Sequence, residues 1–153
     1  MTADEQFKKL NLQLPPVPTP AGLYKPLLID GKYCYVSGHG SRNSDGTLVK
    51  GCIGKNMDAE KGKLAAMQSG LAILATLKSN LGSFNKIKKV IKLLGMVNCT
   101  PDFEKHPYII NGCSELFAQI WGTENGVGVR SAVGMVSLPD NIAVEIEVLF
   151  ELE

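Results

Sequence analysis

The chain reads as an α+β domain of order ββαβαββ, with two helices on one face of a mixed sheet, and three observations carry that reading. Ile142, Val144, Ile146, Val148, Phe150 and Leu152 alternate with Ala143, Glu145, Glu147, Leu149 and Glu151, the period-2 pattern of a strand with one buried face. Leu64, Met67, Leu71, Leu74 and Leu81 recur at near-helical spacing between Asp58, a helix-starting cap, and Gly82, a stop. Between these segments lies Ile87 to Val97, an apolar run long enough for a central strand.

The remaining elements follow in order. Residues 1–22 contain Pro15-Pro16-Val17-Pro18-Thr19-Pro20 and read as an extended, polyproline-like arm preceding a single domain over 23–153. Tyr33 to Ser37 and Thr47 to Val49 flank the polar segment Ser41 to Gly46, a hairpin with a long loop. A second helix is expected to start near Ser114 and to bury Leu116, Phe117, Ile120 and Trp121 before Gly122. Val129 to Leu138 is too apolar for clean alternation, as in a strand covered on both sides. It is expected to form a hairpin with the last strand around Pro139-Asp140-Asn141.

Composition bounds function. A chain of 153 residues with 44% hydrophobic and 20% charged residues fits one globular domain, and a formal net charge of +1 favours neither nucleic acid nor an anionic membrane. The opening residues lack a signal-length apolar run and no stretch approaches 18 apolar residues, so a cytoplasmic protein is expected. Cys34, Cys52, Cys99 and Cys113 form no Cys-x-x-Cys pair, and His39 and His106 have no partner at finger spacing; no metal is expected. Gly51-Cys52-Ile53-Gly54-Lys55 fails the phosphate-loop spacing, and no Gly-x-Ser-x-Gly surrounds Ser37 or Ser114.

Arg130 is the one charge in its strand. Such a residue is commonly ion-paired or reaching for solvent, but its guanidinium can also grip a carboxylate with two parallel N–H groups. Arg130-Ser131-Ala132, Leu138-Pro139 and Val144-Glu145-Ile146-Glu147, together with Tyr24 thirteen residues before Ser37-Gly38, and Asp102-Phe103 before Asn111 and Phe117, stand in a distinctive order. Over roughly residues 20–152 this set resembles the RidA/YjgF superfamily, the reactive intermediate deaminases also described as endoribonuclease L-PSP or translation inhibitors. The resemblance implies a chorismate-mutase-like fold, a homotrimer with clefts between subunits, and hydrolysis of small imines or enamines to 2-keto acids without a cofactor. It implies Arg130 as the carboxylate ligand, Glu145 as the group steering water or a proton, and Tyr24, Ser37, Gly38 and Asn111 as pocket lining. Two positions depart from the family pattern: Ala132 stands where a cysteine is common, and His39 where a glutamine is common. The alternatives are a 2-keto acid binding protein without turnover and an endoribonuclease; RNA is disfavoured by the charge. In the expected hairpin, Arg130 would lie opposite Phe150 and Glu145 opposite Met135, roughly 16 Å apart within one chain.

Overall fold

The computed structural model describes residues 1–153. Its elements are α1 (Ala3–Lys9), β1 (Leu27–Asp30), β2 (Tyr33–Gly40), α2 (Ala59–Leu81), β3 (Ile87–Asn98), α3 (His106–Gly126), β4 (Val129–Met135) and β5 (Val144–Leu152). The expected ββαβαββ order is present, preceded by one short helix. The five strands make a single mixed sheet in the order β1-β2-β5-β3-β4, with only the β3–β4 pair parallel.

Helix α2 begins and ends where the sequence places it: Asp58 accepts a hydrogen bond from the Lys61 amide at 2.8 Å, and Gly82 closes it at φ 80°. Both long helices cover one face of the sheet. Their core joins Leu74 and Leu77 of α2 and Ile109, Ile110 and Phe117 of α3 to Val97, Ile146 and Phe150 of the sheet, all at most 2% exposed. Phe117, Trp121 and Phe150 meet with ring centroids 5.5–5.8 Å apart. The helices approach closely because Gly112 faces α2; a Cβ there would lie 2.0 Å from the Lys63 carbonyl oxygen.

Five expectations are corrected. Residues 1–22 are not an extended arm throughout: Thr2 and Glu5 form a capping box that starts α1, and Phe7 packs edge-on against Phe84 at 5.2 Å. The first hairpin joins β1 and β2, and residues 47–50 contribute isolated bridges only. Leu27-Leu28-Ile29-Asp30 shows no alternation, which hid it. Helix α3 starts at His106, eight residues before Ser114, because Pro107 suits a first helical turn. Strand β4 is a sheet edge rather than a doubly covered strand, with Val129 69% exposed. Finally, β4 and β5 form no hairpin. The turn near Asp140 sends the chain across the sheet, where β5 enters between β2 and β3, and Arg130 pairs with Leu93 instead of Phe150. A period-2 pattern identifies a strand, but it does not identify that strand's neighbour.

The sheet's other face carries no helix. On it lie Tyr35 (47% exposed), Leu28 (50% exposed), Val129 and Val133, together with Leu94, Leu149, Glu145 and Glu147. No helix of the structure is long and apolar enough to cross a membrane.

Candidate functional site

The six residues singled out in the sequence fall into two groups. Tyr24, Ser37, Gly38 and Glu145 line one cavity of about 490 Å³, whereas Arg130 and Asn111 meet elsewhere.

The cavity is built on a bulge in β2. Val36 pairs with Val148 but His39 with Ile146, so three steps along β2 match two along β5 and Ser37-Gly38 carries the extra residue. The bulge turns Ser37 toward the preceding loop, where its hydroxyl donates to the Lys25 carbonyl at 2.6 Å and its amide to the Pro26 carbonyl at 2.9 Å. Both lone pairs of the Ser37 hydroxyl remain open to a ligand. Gly38 leaves room for Glu145: a Cβ at that position would stand 2.7 Å from the carboxylate oxygen Oε1. Burial raises the Glu145 pKa above the ordinary carboxylate range, and the Glu147 charge two residues along the strand raises it further. Glu147→Gln removes that charge, favours the ionised form of Glu145 and therefore moves its titration to lower pH. Carbon-detected NMR of the Glu145 carboxyl reads the shift, and an unchanged midpoint would leave burial as the sole cause.

His39, the departure from the glutamine pattern, is a bracing residue. It is 5% exposed, and its ring lies 2.6 Å from the Ser37 carbonyl at Nδ1 and 2.7 Å from the Thr76 hydroxyl at Nε2. Nδ1–H donates to the carbonyl, and in the neutral ring Nε2 accepts from the Thr76 hydroxyl. Burial lowers its pKa accordingly, against the opposing pull of the Ser37 carbonyl. The imidazole thus ties the bulge to helix α2.

The other group sits at the edge of the sheet. Arg130 donates to Asn111 Oδ1 at 2.7 Å, to the Ser114 hydroxyl at 3.0 Å and to the Pro107 carbonyl at 3.2 Å, all on α3. These partners are neutral, and none of the five ion pairs of the chain includes Arg130. Three of its five N–H groups are occupied, so the guanidinium is held in place and retains both charge and donors for an anion. Ala132, at the position of the common cysteine, packs against the core two residues further along.

The groups are far apart within one chain. Arg130 pairs with Leu93 and Leu93 with Val148, three residues from Glu145. Two strand spacings and three residue rises separate their Cα atoms by roughly 14 Å. Their side chains also leave opposite faces of the sheet, Arg130 toward α3 and Glu145 toward the helix-free side. The separation expected from a hairpin therefore persists, for a different reason.

Sequence reasoning missed several lining residues. Pro18 to Gly22 wall the cavity, with the Ala21 amide donating to the Tyr24 hydroxyl at 3.2 Å, so the second half of the N-terminal segment belongs to the site. Arg42 also lines it. Its signal was a cation in a polar loop whose acid, Asp45, is already engaged by Thr47. No cluster of three or more His, Cys, Asp or Glu residues suited to a metal ion is present.

Comparison with known proteins agrees with this architecture. A curated relative, Protein TCP17 of Trypanosoma cruzi, is 33% identical over 146 residues, covering 95% of this chain and 91% of its own. Among solved structures, the protein Atu1372 of Agrobacterium tumefaciens, described as of unknown function, is 38% identical with a TM-score of 0.88, over 99% of this chain and 94% of that one. A protein of Shewanella oneidensis described as a "putative endoribonuclease" is 27% identical with a TM-score of 0.93, over 99% and 100% of the two chains. RidA of an Antarctic Psychrobacter, at 21% identity and a TM-score of 0.59 over 88% and 93%, shares the fold. The model of the family described as "YjgF/chorismate_mutase-like, putative endoribonuclease" matches residues 5–151. With nearly its whole length matched and the same sheet and helices in place, the chain belongs to the YjgF/chorismate mutase-like family.

Proposed function

We propose that the protein hydrolyses small 2-imino acids, or their enamine tautomers, to 2-keto acids and ammonia in a cleft completed by a second copy of the chain. The observation that carries this reading is the division of the site: an anchored, unpaired guanidinium on one edge, and a cavity holding a carboxyl of raised pKa on another part of the sheet. One chain does not bring both to a small ligand, whereas a neighbour that presents its β4 edge to the cavity does. The apolar residues of the helix-free face supply an interface for such copies, and a ring of three is the assembly carried over from the family resemblance.

The chemistry asks little of the protein. Arg130 holds the ligand carboxylate in a two-pronged grip. Glu145, as carboxylate, takes a proton from a water as its oxygen bonds to the imine carbon, and the proton passes on to the nitrogen. The carbinolamine hydroxyl proton then passes to the nitrogen through the same carboxylate, and collapse breaks the C–N bond, releasing ammonia and leaving the keto group. A carboxyl tuned upward by burial is better matched to such proton traffic near neutrality than a solvated one. Orientation provides much of the remaining rate.

Freshly generated 2-iminopropanoate tests the proposal: pyruvate should appear well above the uncatalysed rate during the lifetime of the imine. Binding of 2-oxobutyrate without any acceleration would establish instead a carboxylate-binding protein, a reading favoured by Ala132 in place of the common cysteine. RNA cleavage is the weaker alternative, because three acids, Asp140, Glu145 and Glu147, line the cavity beside a single arginine.

A further inference from the structure

We propose that Arg42 is a second carboxylate-binding group of the cleft and selects dicarboxylic ligands, 2-imino or 2-oxo acids with an acidic side chain. This rests on the imine-hydrolysis reading only in taking Arg130 as the holder of the first carboxylate.

Arg42 is the one cationic side chain among the residues lining the cavity, since His39 is held neutral. Asp140, Glu145 and Glu147 share that cavity, yet none forms an ion pair with it. One terminal nitrogen donates to the Gly46 carbonyl at 3.1 Å, and its Nε–H is the single buried side-chain polar group of the chain without a hydrogen-bond partner. A half-buried guanidinium in that condition is under-neutralised, and its free terminal N–H groups suit a planar carboxylate.

The loop around Arg42 is built to hold it still. The Asn43 amide donates to the Thr47 carbonyl at 2.8 Å, the Val49 amide to the Ser41 carbonyl at 2.9 Å, and Asp45 accepts from the Thr47 amide at 2.9 Å. Gln68 of α2 donates to the Asn43 side chain at 3.3 Å, and Gly46 rests against Pro16. The loop that carries Arg42 is thus ordered before a ligand arrives, and the Gly46 carbonyl tethers one end of the guanidinium to it.

Titration calorimetry of the full chain with 2-oxobutyrate and 2-oxoglutarate tests the inference through the ratio of the two affinities. The wild-type protein should prefer 2-oxoglutarate by about tenfold or more, as expected for one additional charge-assisted grip. Arg42→Gln should bring the ratio close to one, and Arg42→Lys, which keeps the charge without the fork, should retain only part of the preference. A wild-type protein that binds 2-oxobutyrate through Arg130 but shows no dicarboxylate preference would overturn the role of Arg42 and leave the imine reading standing. Retained preference in Arg42→Gln with an unchanged circular dichroism spectrum would also overturn it. Should Arg42→Gln not fold, the Lys variant decides: an undiminished preference sinks the proposal. Failure of both acids to bind the wild-type protein would overturn both readings together.

Discussion

Mixing inactive Arg130→Ala chains with inactive Glu145→Gln chains restores about a quarter of wild-type activity if each cleft draws on two subunits of a closed ring. The figure comes from counting. In a head-to-tail ring each cleft takes its arginine from one chain and its glutamate from the next, and at equal proportions each is intact half the time. Separately, each variant should be crippled: Arg130→Ala removes charge-assisted hydrogen bonds to the carboxylate, about 3 kcal/mol and thus roughly 100-fold in kcat/KM. The assay is pyruvate formation after partial unfolding and reassembly, with subunit exchange verified by mass. No recovery in rings shown to be mixed would place both residues in one chain's share of the cleft or remove one from the mechanism.

Gly112→Ala should be among the most damaging small substitutions in the chain. The added methyl would meet the Lys63 carbonyl oxygen at 2.0 Å and the Met67 amide nitrogen at 3.1 Å, both backbone atoms of α2. Neither can rotate away, so α2 and α3 must separate and lose contacts along their shared length. A cost of about 3 kcal/mol or more is expected for such overpacking, which lowers Tm by roughly 6–12 °C in a domain of this size. Thermal unfolding followed by circular dichroism measures it; a Tm within about 2 °C of wild type would mean that the crossing has slack. Asn111 precedes Gly112 and holds Arg130, so ligand binding should weaken in the same variant even where it remains folded.

What the sequence reveals is what local pattern controls. Helix α2 was legible from both ends because Asp58 and Gly82 act on the residues next to them. β5 was legible because alternation is a property of one strand. The neighbours of β5 were not, since pairing with β2 and β3 is decided by partners far away in the sequence, the nearest being Val97 opposite Val144. The same limit applies to the site. Arg130 and Glu145 stood out as charges in apolar strands, but the division of the candidate residues into two groups depends on which face each side chain leaves. Arg42 offered only a cation in a polar loop, and becomes conspicuous once Asp45, the acid of that loop, is seen to be engaged by Thr47.

The position of β5 also bears on how the molecule assembles in time. It is the middle strand of the sheet and the last to leave the ribosome, after all four of its companions. Until it arrives, β1 and β2 form a bare hairpin, and β3 with β4 a separate parallel pair whose apolar edge is uncovered. Joining them requires contacts of long sequence separation, which slows folding and prolongs the exposure of unpaired backbone. Chains in which β5 has not yet docked therefore leave an open seam of one strand's width between β2 and β3, a state exposed to capture by a chaperone or by another unfinished copy.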